Sequence, residues 1–208
     1  MAKLLTEFIG TFFLVLTVGL TAASGTEFAP LAVGGAYMVM VYMGWHISGG
    51  HYNPAVSLGV WLRGKLSPAD LAGYWVAQLI GAVVAALTVN VIAGQAFALE
   101  PGLGSTKLGA FLAESLFTFA LVLVMLQVAT SEKTAGNSYY GLAIGFTLVV
   151  AAYAGGPTSG GAFNPAVGVG PILVNALLGG GSFGDVWLYV AGPLLGGAVA
   201  AGVFRLQE

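Results

Sequence analysis

The chain has 208 residues, 58% of them hydrophobic and only 7% charged, with a formal net charge of -2 and no cysteine. A soluble domain carries about 25% charged residues, so this chain cannot clothe itself for water, and a bilayer is its natural solvent. The missing cysteines exclude a disulfide framework, a thiolate nucleophile and Cys-metal sites, and the charge balance leaves no basic footprint for nucleic acid.

A hydrocarbon core roughly 30 Å thick is crossed by about 20 helical residues. The first stretch of that length runs from Leu4 to about Ala23. It lacks a clear cleavage site and is long enough to span, so it reads as a retained helix rather than a signal peptide. Further spans are expected at 30–48, 69–94, 107–129, 139–156 and 185–205. Turn chemistry separates them at Gly25-Thr26-Glu27, Pro101-Gly102, Ala135-Gly136-Asn137 and Gly179-Gly180-Gly181. Ser67-Pro68 supplies an N-cap and a first-turn proline. Two apolar segments, Asn53 to about Leu62 and Asn164 to about Leu173, are too short to cross. Ten helical residues reach only about 15 Å, so each would stop near the midplane. Six spans bring both termini to one side, together with Lys3, Arg63, Lys65, Lys133 and Arg205, and leave Lys107 alone on the other. That asymmetry predicts cytoplasmic termini.

The two halves echo each other. Glu7-Phe8-Ile9-Gly10-Thr11-Phe12 matches Glu114-Ser115-Leu116-Phe117-Thr118-Phe119, Asn53-Pro54-Ala55-Val56 matches Asn164-Pro165-Ala166-Val167, and Gln78-Leu79-Ile80-Gly81 loosely matches Pro193-Leu194-Leu195-Gly196. The matches keep their order at offsets of 107, 111 and 115 residues. A single channel domain over 1–208, built from repeats at 1–100 and 101–208, is expected. Three spans per repeat invert the second copy. Inverted repeats with broken helices meeting at the midplane mark a transport site.

Asn-Pro-Ala suits the start of such a half-helix. The Asn side-chain oxygen caps the first turn, Pro has no N–H to leave unsatisfied there, and Ala lets two helix ends meet. Asn53 and Asn164 then have amide donors free for the narrow centre. Both helix N-termini, each carrying about +0.5 charge, point at the same spot and oppose cations and hydronium. The preceding segments, Ser48-Gly49-Gly50-His51-Tyr52 and Ser159-Gly160-Gly161-Ala162-Phe163, are expected to run extended into the membrane. Irregular backbone survives there only if it is buried or lines a cavity. The carbonyls of Gly49, Gly50, His51, Gly160 and Ala162 would form a lane of acceptors.

Glu7 and Glu114 lie inside apolar spans, where a carboxylate is expensive. They could relay protons or accept hydrogen bonds from the irregular loops, and their matched places favour the structural role. His46 and His51 lack a third ligand for a metal; packing is expected for His46 and pore lining for His51. No cofactor is implied.

The duplicated Asn-Pro-Ala, the run His46-Ile47-Ser48-Gly49-Gly50-His51-Tyr52-Asn53-Pro54-Ala55-Val56 and the paired Glu-x-x-x-Thr-Phe resemble the aquaporin (major intrinsic protein) family over nearly the whole chain. The resemblance implies an all-α membrane protein, a right-handed bundle of six transmembrane helices plus two half-helices, and a homotetramer with one pore per subunit. The short chain and short loops point to a prokaryotic inner membrane, and the expected partners are lipid, water and small neutral solutes. In most of that family an Arg follows the second Asn-Pro-Ala in the outer filter; here the position is Val167. The other filter positions fall on Val33, Ala152 and Gly161, where water-selective members carry an aromatic residue and a His in the first two. Glycerol-conducting members carry Asp at the place of Gly168. Losing a guanidinium removes bulk, charge and donors. The resemblance therefore implies a wider filter open to glycerol, urea, ammonia, hydrogen peroxide or undissociated metalloid acids, with a strictly water-selective pore as the alternative. A proton-coupled transporter would use Glu7 and Glu114. A membrane enzyme would need a nucleophile or a positioned acid–base pair, which the sequence lacks outside those two acids.

Overall fold

The computed structural model describes residues 1–208. The chain is entirely helical: α1 (Ala2–Ser24), α2 (Ala29–Ser48), α3 (Pro54–Leu62), α4 (Pro68–Ala93), α5 (Lys107–Thr130), α6 (Tyr140–Ser159), α7 (Pro165–Leu177) and α8 (Val186–Gln207), with a 3-10 turn at Glu132–Thr134. Five of the six long helices are long and apolar enough to cross a membrane by length and composition. The sixth, α2, matches α6 at 20 residues but carries Tyr37, Tyr42, Trp45 and His46. Two boundaries extend beyond expectation. Gly155-Gly156-Pro157 does not end α6, because Ser159 is fastened to Glu114 Oε1 at 2.7 Å and the helix stops at Gly160, whose φ is 93°. The second short helix passes through Pro171 to Leu177.

The helix ends follow local chemistry. Ser67 and Thr106 cap α4 and α5 by accepting from Asp70 N and Gly109 N, each at 3.0 Å. Gly25, Gly49, Gly94 and Gly160 close α1, α2, α4 and α6 in the left-handed conformation.

α1 packs along α4 and α5 along α8, while α2 packs against α6 and α1. The contacts are close because glycines sit where backbones cross. A Cβ on Gly81 would lie 2.6 Å from the Phe8 carbonyl oxygen, and one on Gly196 would lie 2.8 Å from Phe119 N. In lipid, where apolar surface alone drives no helix association, such approach is what packing gains from. The outward faces carry Phe13, Val76, Ile80, Leu112, Leu116, Phe146, Val150, Leu195 and Val199, all exposed. This apolar belt belongs to an integral membrane protein. Inside it, α3 packs against α8, α4 and α5, and α7 against α4 and α8, so the short helices are walled off from the outside.

The basic residues cluster at the ends. Lys3 pairs with Asp70 at 3.1 Å and Arg63 approaches Glu208 at 3.9 Å on the side of the chain termini, and Lys107 pairs with Asp185 at 2.7 Å on the far side. These pairs are partly exposed and contribute little to stability.

Gly81→Val should destabilise the protein by about 2 kcal/mol through overpacking against α1. Gly35→Ala, at a position with nothing within 4 Å of the added carbon, should leave the midpoint unchanged. Thermal unfolding in detergent reads both.

Candidate functional site

Each half places a carboxylate behind its irregular loop. Glu7 of α1 is fully buried and accepts from Ser48 Oγ at 2.7 Å, His51 N at 3.0 Å, Tyr52 N at 2.7 Å and Gln78 Nε2 at 2.8 Å. Glu114 of α5, equally buried, accepts from Ser159 Oγ at 2.7 Å, Ala162 N at 3.0 Å and Phe163 N at 2.6 Å. The serine oxygens in turn accept from Gly50 N and Gly161 N, each at 3.1 Å. Tyrosines clamp the same serines from behind: Tyr74 O–H donates to Ser48 O at 2.7 Å and Tyr189 O–H to Ser159 O at 2.6 Å. The loops need this support. Tyr52 and Phe163 hold φ of 50° and 48°, a left-handed conformation that bulky side chains rarely adopt.

That backbone turn delivers the two asparagines to each other. Asn53 Oδ1 accepts from Ala55 N and Asn164 Oδ1 from Ala166 N, each at 2.9 Å. The amide nitrogens cross between halves: Asn53 Nδ2 donates to Phe163 O and Asn164 Nδ2 to Tyr52 O, also at 2.9 Å. The pairing fixes the orientation of both amides, since each oxygen meets an N–H and each nitrogen a carbonyl. An amide nitrogen has two hydrogens, so each asparagine keeps one N–H after the lock is made. Both side chains border a central cavity.

Three cavities follow one another along the bundle. The one on the terminal side is about 330 Å³ and is lined by Ser48, Gly49, His51, Lys65, Asp70 and Tyr74, among others. The central one is about 10 Å³ and includes Tyr37, Asn53, Asn164, Gly161, Ala162 and Val167. The one on the far side is about 180 Å³ and includes Val33, Ala152, Gly156, Gly160 and Gly161. A single water needs about 10–15 Å³ by this measure, so the centre holds one water at most.

The expected site residues distribute over this line. Val33 and Gly161 border both the central and the far cavity, Ala152 only the far one, and Val167 only the central one. Gly50 packs against Val41 of α2 and borders none of the three. His51 borders the terminal-side cavity with its ring edge-on to Tyr74, and its Nδ1 lies 3.0 Å from Ser57 Oγ. Its carbonyl accepts from Tyr37 O–H at 2.8 Å. His46 is exposed.

Five participants were not singled out from sequence: Tyr37, Ser57, Gln78, and the tyrosine pair Tyr74 and Tyr189. The tyrosines repeat at an offset of 115, the same as the third matched segment, which was a usable signal. Gln78 was visible as a polar residue in an apolar helix. Its amide joins Glu7 to Ser57, which it meets at 3.0 Å.

The family model described as major intrinsic protein matches residues 1–204. The chain belongs to the major intrinsic protein family. Among its relatives, "Glycerol uptake facilitator protein-like 6" of Lactiplantibacillus plantarum is 37% identical over 222 residues, covering 100% of this chain and 98% of the relative. "Aquaporin NIP1-1" of Zea mays is 35% identical over 214 residues, covering 98% of this chain and 74% of the relative. "Aquaporin TIP1-1" of Arabidopsis thaliana is 37% identical over 193 residues, covering 90% and 74%. The fold matches the crystal structure of the aquaglyceroporin from Plasmodium falciparum with a TM-score of 0.87 at 23% identity, over 98% of this chain and 94% of that one.

Glu114→Ala would leave the Ala162 and Phe163 amides unpaired in a buried site, at about 1–3 kcal/mol each. A loss of about 2–6 kcal/mol in unfolding free energy is expected, with a smaller loss for Glu114→Gln, which keeps one acceptor oxygen. Thermal or denaturant unfolding of the detergent-solubilised protein measures it.

Proposed function

We propose that this major intrinsic protein is a passive channel for water and small uncharged solutes, with one pore through each subunit. It is a channel and not an enzyme. The observation that carries this reading is the meeting of two helix N-termini at a water-sized cavity, each offering one remaining asparagine N–H there. A neutral molecule with an oxygen or nitrogen lone pair gains two donors at that point. A cation or hydronium faces two aligned dipoles, each worth about +0.5 charge, and no compensating acceptor from either asparagine.

The carbonyls of Gly49, His51, Gly160 and Ala162 supply acceptors on the way to and from the centre. The outer filter is formed by Val33, Ala152, Gly161 and Val167. It carries no charge and little bulk, so the candidate solutes beside water are ammonia, hydrogen peroxide, urea, glycerol and undissociated metalloid acids. Glu7 and Glu114 act as structural acceptors. Their oxygens are occupied by fixed backbone and side-chain donors, which argues against a proton relay and hence against coupled transport.

The protein works as a homotetramer in a prokaryotic inner membrane, with both termini and the terminal-side cavity cytoplasmic. Its excess of basic residues on that side and its full-length similarity to a bacterial relative support this placement.

Reconstituted into liposomes and shocked with sucrose, the protein should shrink vesicles well above the rate of empty ones, with a low activation energy and no proton entry by an entrapped pH dye. Water flow at the rate of empty liposomes would defeat the channel reading. Asn53→Asp replaces the free donor with a carboxylate at the focus of both dipoles, so proton entry should rise above wild type. An unchanged proton rate, with water flow retained, would remove the asparagine pair from the barrier.

A further inference from the structure

The smallest of the three cavities is the central one, about 10 Å³ against about 180 Å³ for the far one, and it is bordered by both asparagines together with Val33, Gly161 and Val167. One residue there breaks the likeness of the two halves. Tyr37 of α2 lies four residues after Val33, on the same face of the helix. At the offset of 111 that relates the two asparagines, its counterpart on α6 is Leu148. Both side chains border the central cavity. Only Tyr37 brings an aromatic ring and a hydroxyl to it.

The ring is held from two directions. Its O–H donates to the His51 carbonyl at 2.8 Å, and its face meets the Tyr52 ring edge-to-face at 6.4 Å between centroids. Both supports are themselves rigid, since the His51 and Tyr52 amides are bound to Glu7. Tyr37 is buried among these supports. The hydroxyl takes one of the two lone pairs of the His51 carbonyl and leaves the other for a passing solute.

We propose that Tyr37 is the size-determining residue of this channel: its ring, tethered to the His51 carbonyl, restricts passage to one water-sized molecule at a time. The inference rests on the channel reading and sharpens it. Water, ammonia and hydrogen peroxide pass in single file, whereas glycerol and urea, admitted by the open outer filter, are held back at the midplane. Selection by size then rests on an aromatic ring beside the Asn-Pro-Ala pair and not on bulk at Val33, Gly161 or Val167, which share its cavity.

The test uses proteoliposomes in a stopped-flow, with a sucrose shock for water and a glycerol shock for the larger solute. Tyr37→Leu installs the side chain that the other half carries, and Tyr37→Phe keeps the ring but cuts the tether. Wild type should conduct water but re-swell in glycerol at nearly the rate of empty liposomes. Tyr37→Leu should speed glycerol entry by about tenfold, and Tyr37→Phe by about two- to threefold, as expected where pore diameter sets selectivity. Adding Val167→Arg to Tyr37→Leu should close the glycerol route again by refilling the central cavity that both side chains border. Fast glycerol entry in wild type would overturn the proposal, as would Tyr37→Leu and Tyr37→Phe variants that conduct water with unchanged glycerol rates. A wild type silent to water beside a conducting Tyr37→Leu would also overturn it, since the wild-type ring must let water through. Water flow at background in wild type and in both variants would overturn the channel reading and this inference with it. The water arm thus reports on the channel and the glycerol ratio on Tyr37.

Discussion

A backbone N–H or C=O left without a partner in hydrocarbon costs several kcal/mol, and that constraint organises the whole molecule. Six long helices satisfy their own backbone. The two loops that break off at Gly49 and Gly160 do not, and each is met by a carboxylate from a neighbouring helix. Glu7 takes the amides of His51 and Tyr52, and Glu114 those of Ala162 and Phe163. The expense of an acid in the membrane is offset by the donors it collects. The same bonds hold Tyr52 and Phe163 in left-handed backbone, which turns the chain so that the next residue starts a helix at the midplane.

From that turn the transport chemistry follows with few further parts. Asparagine is both cap and cross-link: its oxygen closes its own helix and its nitrogen bonds the carbonyl just before the other asparagine. The two half-helices are therefore locked tip to tip. Locking also halves the number of free amide hydrogens, so one donor per asparagine remains beside the central cavity. A single-file conductor of neutral molecules requires little else at that depth.

The two halves are alike in what holds the backbone and unlike in what faces the solute. Ser48 and Ser159, Tyr74 and Tyr189, Asn53 and Asn164 do the same work in each copy. Tyr37 stands opposite Leu148, both on the central cavity. Symmetric needs, such as satisfying a loop, keep matched residues. The terminal-side cavity is the larger and carries charge at its rim through Lys3, Lys65 and Asp70; the far cavity is the smaller and has no charged lining residue.

The sequence by itself determined the membrane setting, the eight helices to within a few residues, the paired Asn-Pro-Ala segments and the two buried acids. Each rests on local chemistry or on counting: apolar length, turn residues, caps, and matched motifs in order. It ended the fifth span at 156, three residues short of the end of α6 at Ser159. There the bond from Ser159 to Glu114, 45 residues away, carries the helix on. Only the tertiary structure decided which polar groups meet across the repeats, that each asparagine spends one donor on the opposite half, that Gly50 lies away from the cavities, and that Tyr37 borders the smallest of the three. In α2 a tyrosine reads as one more large residue in an apolar helix. Its meaning depends on the space left between α2, the loop at His51 and the tip of α7, and that space is set by packing between segments up to 130 residues apart in sequence.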